Sequence, residues 1–283
     1  MERKLFWRGQ QGWRKLGYSC LSVLVALALW VGVQQKTTAF SIFDLLFQGI
    51  QIIQLSNISD DQEISIGRDI NQQITGTQVR ILRDAAINNY VNDIGQRLAA
   101  TSDRPNIPYT FQVVADRQIN AFATMGGFVY INAGLITAAD NEAQLASVVA
   151  HEIGHITARH VIERLKQTAI TRGLATAAGL DQSTLVGLGI ELALNLPNSR
   201  EAEFQSDRLG LENLIQAGYA PSAMPAFMTK LMSANSPPTF LSSHPAVGDR
   251  IQSLENSIDP QDANIGDGLS TTEYRRRIAS LLR

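Results

Sequence analysis

Apolar side chains recur mostly at three- and four-residue steps along the chain, the spacing of helices with one buried face, and they alternate only in short stretches. Ile64, Ile66, Ile70 and Ile74 predict a helix capped by Asp60 or Asp61, with Glu63 in its first turn. Ala86, Tyr90, Val91, Ile94 and Leu98 predict a second helix that begins near Asp84. Pro105, Asn106, Ile107 and Pro108 then interrupt the chain, and the run from Tyr109 to Val114 is rich in strand-forming residues. Gly126 and Gly127 mark a tight turn before Phe128 to Asn132, which alternates like a half-exposed strand. These runs predict a small antiparallel sheet. Helical spacing resumes at Asn141 with Leu145, Val148, Val149 and Ile153, and continues in pieces past Arg208. The pattern is that of an α+β protein, mainly α-helical.

Two apolar stretches lie apart from this scheme. Leu21 to Val33 carries no charged side chain, follows Arg3, Lys4, Arg8, Arg14 and Lys15, and precedes the small residues Thr37, Thr38 and Ala39. A basic flank, a short apolar run and small residues make residues 1–39 a secretory signal peptide. Extended back to Leu16, the same run is just long enough for one N-terminal membrane anchor. Either reading sends the rest of the chain across a membrane. Phe43, Leu46, Phe47, Ile50 and Ile53 predict an amphipathic helix within residues 40–59. It lacks the Lys and Arg of membrane-surface helices, so packing on the main core is the plainer reading and lipid contact the alternative. Residues 174–196 are again apolar, but Asp181, Gln182 and Glu191 interrupt them, which predicts a buried or site-covering helix rather than a second span.

Composition narrows the function. With 24 basic and 26 acidic residues the chain has no overall positive charge to hold nucleic acid, and no nucleic-acid partner is expected. A single cysteine, Cys20, excludes a Cys-rich zinc finger. Of the 4 histidines in the chain, His151, His155 and His160 lie close together. His151, Glu152 and His155 form an HExxH pattern within a helical, apolar stretch. Four-residue spacing sets both imidazoles on one helix face, one turn apart, where they can share an ion. Glu152 projects beside them, placed to take a proton from an activated water without being a ligand. His160, five residues beyond His155, turns away from that face and is assigned a packing role behind it.

A zinc hydrolase needs a third protein ligand and an open fourth position. Glu203 and Asp207, again one turn apart, supply a carboxylate for the metal and an acceptor for the outer nitrogen of a liganding histidine. Glu201 is the nearest rival ligand, on a different face.

Taken together, HEIGH at 151–155, SREAEFQSD at 199–207, NAFATMGGFVYINAGLI at 120–136 and HPAVGDRI at 244–251 resemble the M48 family of zinc endopeptidases, in the family's own order. The resemblance implies a gluzincin-like metallopeptidase domain over residues 60–260 and a tail, predicted to be helical, over 261–283. It implies one Zn2+ held by His151, His155 and Glu203. It also implies a small sheet whose edge strand receives an extended polypeptide, and cleft positions for Asn120 and His244. Those two residues would hydrogen-bond the peptide or its tetrahedral intermediate. A turn role for Asn120 and a capping role for His244 are the plainer alternatives, and His244 could also close the zinc site at rest.

The expected activity is zinc-dependent peptide hydrolysis by an exported or singly anchored protein, on misfolded or membrane-associated exported substrates. The alternative is a chaperone-like binder of extended chains with weak or repressed proteolysis. Arg275, Arg276 and Arg277 near the end read as a solvated helix face.

Overall fold

Ser59, one residue before the expected cap, opens the first helix: its hydroxyl accepts from the Gln62 N–H while the Gln62 side chain accepts from the Ser59 N–H. The computed structural model describes residues 57–173, 181–234 and 238–283. The predicted signal or anchor and most of the predicted amphipathic helix lie outside the described residues. Helix α1 runs Asp60–Gln73 and passes into a π-helical turn at Ile74–Gln78. Helix α2 (Ala85–Ala99) starts where the sequence predicts, with Asp84 accepting from the N–H groups of Ala86 and Ile87.

Three strands follow, β1 (Thr110–Val114), β2 (Ala121–Ala123) and β3 (Phe128–Asn132), in the spatial order β1-β3-β2. The sheet is mixed, not antiparallel as expected: β2 pairs with β3 antiparallel, whereas β1 pairs with β3 in parallel. The short β2, which the sequence pattern did not mark as a strand, reverses the chain once more between β1 and β3, so these two run in the same direction. β3 is also buried along its whole length rather than half exposed. Its alternation is real, but both faces are covered: Val129 and Ile131 enter one apolar cluster and Phe128 and Tyr130 another. The buried Tyr130 hydroxyl keeps a partner by donating to Asn71 Oδ1 at 2.8 Å.

The remaining described elements are helical: α3 (Ala133–Ala138), α4 (Glu142–Thr157), α5 (His160–Thr171), α6 (Gln182–Asn195), α7 (Arg200–Gln216), α8 (Ala223–Met232), α9 (Thr239–Ser243), α10 (Val247–Ser257) and α11 (Thr271–Arg277). α4 is buried from Ala143 through Ile156 and forms the centre of the core. α7 crosses it closely because small residues stand at the contact. A Cβ on Gly154 would meet the Ser206 carbonyl oxygen at 2.7 Å, and one on Gly210 would meet the His151 backbone at 3.0 Å. The C-terminal segment joins the same core, with Tyr274 and Ile278 buried and Gly268 O accepting from the Ala143 N–H at the start of α4. Among the described residues, no helix is long and apolar enough to cross a membrane. α6 packs on α1 and α5, in keeping with the buried or site-covering reading of its sequence.

Gly154→Ala should therefore force α4 and α7 apart and lower unfolding free energy by about 1–3 kcal/mol, read by urea denaturation. Gly187 in α6 has nothing within 4 Å of its missing Cβ, so Gly187→Ala should instead raise stability by about 0.5–1 kcal/mol.

Candidate metal centre and cleft

The glycine-mediated crossing brings two pairs of side chains together, one from each helix. His151 Nε2 and His155 Nε2 stand 3.1 Å apart on α4. From α7, Glu203 reaches them with Oε2 at 3.5 Å from His151 Nε2 and Oε1 at 3.3 Å from His155 Nε2. Ligand bonds of about 2.0–2.2 Å in a tetrahedron separate donor atoms by about 3.3–3.6 Å. The three donors thus have the spacing and the chemistry of a zinc site. The fourth nearby donor is His244: ligand atoms of His151, His155, Glu203 and His244 all lie within 4.8 Å of one another, and all four residues are buried. Glu201, the rival considered from sequence, is exposed and is absent from this group of donors.

The outer nitrogens of the two α4 rings are held differently. His151 Nδ1 lies 2.9 Å from Asp207 Oδ1, the partner expected from the one-turn spacing of Glu203 and Asp207. His155 Nδ1 lies 2.9 Å from His160 Nδ1. α4 ends at Thr157, Arg159 takes a left-handed conformation (φ 56, ψ 33), and His160 opens α5, so the packing role expected for His160 is exercised from the next helix.

Arg250 is the main residue that sequence reasoning passed over, although it lies within the HPAVGDRI stretch. Its guanidinium is 1% exposed and grips Asp207 with Nε at 2.6 Å and Nη2 at 2.7 Å. Nη1 pairs with Glu203 Oε2 at 2.5 Å and donates to the His244 carbonyl at 3.2 Å. One side chain thereby ties α10, the His244 loop and α7. Asn198 was also missed: its Nδ2 donates to Glu203 Oε1 at 2.8 Å, and no pattern around it signals this.

Electrostatics follow from burial and these partners. Burial opposes charge on Glu152, but His244, His155 and His151 outweigh it and hold the carboxyl below its usual range. Glu152 Oε1 lies 3.3 Å from His244 Nε2. Burial likewise opposes charge on Glu203, yet His244, His151 and His155 keep it well below the ordinary value. Burial pushes His155 down to about 4. For His151 burial acts in the same direction, but Asp207 and Glu203 outweigh it and raise the ring to about 9.

A cleft opens beside these groups, lined by Phe122 and Ala123 of β2, Glu152 and His155 of α4, Arg164 of α5 and His244. β2 is an edge strand. Thr124 N bonds Phe128 O and Asn132 N bonds Asn120 O, so by the alternation of an antiparallel ladder Ala121 and Ala123 direct their backbone groups away from β3. Asn120 is not among the four clustered donors. It sits just before β2, 3.5 Å from Ser243 Oγ through Oδ1, next to His244.

Residues 85–258 match Peptidase family M48. The chain belongs to that family. It is 35% identical over 216 residues to a putative β-barrel assembly-enhancing protease of Vibrio cholerae, an alignment covering 69% of this chain and 44% of the relative. It is 30% identical over 218 residues to the β-barrel assembly-enhancing protease of Escherichia coli K12, covering 71% and 45%. With the mitochondrial metalloendopeptidase OMA1 of Schizosaccharomyces pombe it shares 32% identity over 176 residues, covering 59% and 51%. The matched part of the chain spans less than half the length of the two bacterial relatives.

A proton on His151 would compete with a metal at its Nε2, and the raised pKa of about 9 sets the range over which this acts. Apparent zinc affinity should rise with pH, by up to about tenfold per unit below that value, in chelator-competition titrations corrected for the chelator's own protonation.

Proposed function

We propose that the chain is a zinc-dependent endopeptidase, with His151, His155 and Glu203 as metal ligands, Asp207 orienting His151, and Glu152 as the general base. The observation that carries this reading is a buried, ionised Glu152 beside a His/His/Glu donor set, in a cleft that the edge strand β2 also lines. An extended peptide adds to the β2 edge through the backbone groups of Ala121 and Ala123, which brings one of its carbonyls over the donor cluster. Zinc held there would supply Lewis acidity and would lower the pKa of water to about 7. Glu152 takes the proton of the attacking water and returns it to the leaving amine. His244, against Glu152, and Asn120, near its loop, are assigned to the peptide or its tetrahedral intermediate.

The names of the bacterial relatives support substrates among exported or membrane-associated polypeptides, and quality control as the setting. The basic, apolar and small-residue pattern of residues 1–39 supports export to a periplasm or equivalent lumen, with or without retention of one anchor. The close approach of His244 to Glu152 and of Asn198 to Glu203 favours a second reading, in which the cleft binds extended chains while hydrolysis is repressed.

Glu152→Gln should keep one zinc per chain and lose peptide hydrolysis by about 10²–10⁴-fold or more, measured by metal analysis and a casein-type assay. Equal binding and protection of misfolded chains by both proteins, without fragments from either, would select the second reading instead.

A further inference from the structure

Glu63, in the first turn of α1, lies before the region that matches the family and away from the metal donors. A carboxylate there is expected to face water, yet it is 1% exposed. Its Oε1 accepts from Arg104 Nη1 at 3.2 Å and from the Gly126 N–H at 3.2 Å. Its Oε2 accepts from Arg104 Nη2 at 2.8 Å and from Arg159 Nε at 2.9 Å.

Each partner leads to a different wall of the cleft. Gly126 belongs to the turn that joins β2 to β3, and α1 meets that turn backbone to backbone: a Cβ on Gly67 would come within 2.2 Å of Met125 O. Arg104 Nη1 also donates to the Ile156 carbonyl at 3.0 Å, in the last turn of α4. Arg159 is the left-handed residue between α4 and α5, and the residue after it, His160, touches His155. A non-glycine residue held at positive φ is strained and persists only where its surroundings fix it. One buried carboxylate therefore connects the strand edge, the end of the HExxH helix and the kink behind His155.

We propose that Glu63 is a positioning residue, which sets the distance between the β2 edge and the metal-binding end of α4. The inference rests on the peptidase reading. A peptide held on β2 reacts only if its carbonyl reaches the donor cluster, and a misplacement of about 1 Å can cost about 10²-fold in rate. Glu63 acts through its partners and does not touch the peptide.

The test uses the full chain loaded with zinc, as wild type, Glu63→Gln, Arg159→Gly and Asp60→Asn. Glycine takes the left-handed conformation freely, so Arg159→Gly keeps the kink while removing the ion pair to Glu63, together with the Arg159 hydrogen bond to the Ile58 carbonyl. The Arg159 side chain is 34% exposed, so this variant carries the test if Glu63→Gln does not fold. Both variants should retain zinc and wild-type helical content, while kcat falls about 10²-fold and KM changes by less than about threefold. Amide exchange over residues 121–127 should accelerate in both, a readout independent of hydrolysis. Asp60, 62% exposed at the rim of the same cluster, should tolerate Asn with kcat within about twofold. Wild-type kcat and exchange in Arg159→Gly would overturn the proposal, as would a loss of activity that only tracks loss of zinc. A wild type that cleaves no peptide would instead defeat the peptidase reading, and the exchange comparison would still decide whether Glu63 holds the strand.

Discussion

The metal centre depends on how closely two helices approach. Gly154 and Gly210 let the backbones of α4 and α7 touch, and only at that separation can Glu203 reach both imidazoles while Asp207 reaches the back of one of them. Packing and chemistry are one constraint here, since the atoms that would part the helices would also open the donor triangle. The same crossing concentrates charge. Glu152, Glu203 and Asp207 are buried, and among the described residues the one buried guanidinium is that of Arg250, paired with Glu203 and Asp207. Isolated charges are costly in a protein interior. With both imidazoles neutral, as metal binding would require, the three carboxylates exceed the one cation by two charges, an excess that a divalent ion would offset.

Backbone strain marks the borders of this centre. Among the described residues, Arg159 and Ala246 are the two non-glycine positions with positive φ. Arg159 follows the HExxH helix, and Ala246 follows His244 and Pro245. Each is an abrupt change of direction immediately after a functional segment: the first brings His160 behind His155, and the second starts the helix that returns Arg250 to Asp207. Such conformations cost about 1–3 kcal/mol each, and an ion pair to a buried carboxylate stands at each turn, Arg159 on Glu63 and Arg250 on Asp207.

Much of the site was legible because helical periodicity is a local property. HExxH and the Glu203–Asp207 pair follow from one-turn spacing, and the sequence places the starts of α2 and α4 near Asp84 and Asn141, where their caps are found. What escaped was non-local. The parallel pairing of β1 with β3 depends on a three-residue strand too short to carry a pattern. Glu63 reads as an ordinary first-turn acid until Arg104 and Arg159, brought from distant segments, bury it. Arg250 reads as a surface cation on an amphipathic helix until the fold closes it over Asp207.

The two rings of the HExxH helix also differ in a way that fixes their protons. For His155 Nε2 to offer a lone pair to a cation, Nδ1 must carry the hydrogen and donate to His160 Nδ1. His160 must then hold its own hydrogen on Nε2, where Gln205 Oε1 accepts it at 3.2 Å. This chain is neutral throughout and ends near the surface at an exposed glutamine. His151 instead backs onto the ionised Asp207, itself clamped by Arg250. A carboxylate behind a ring raises its basicity more than a neutral imidazole does. His151 is accordingly the more basic ring of the pair and His155 the less basic, in line with the opposite directions in which their surroundings shift them.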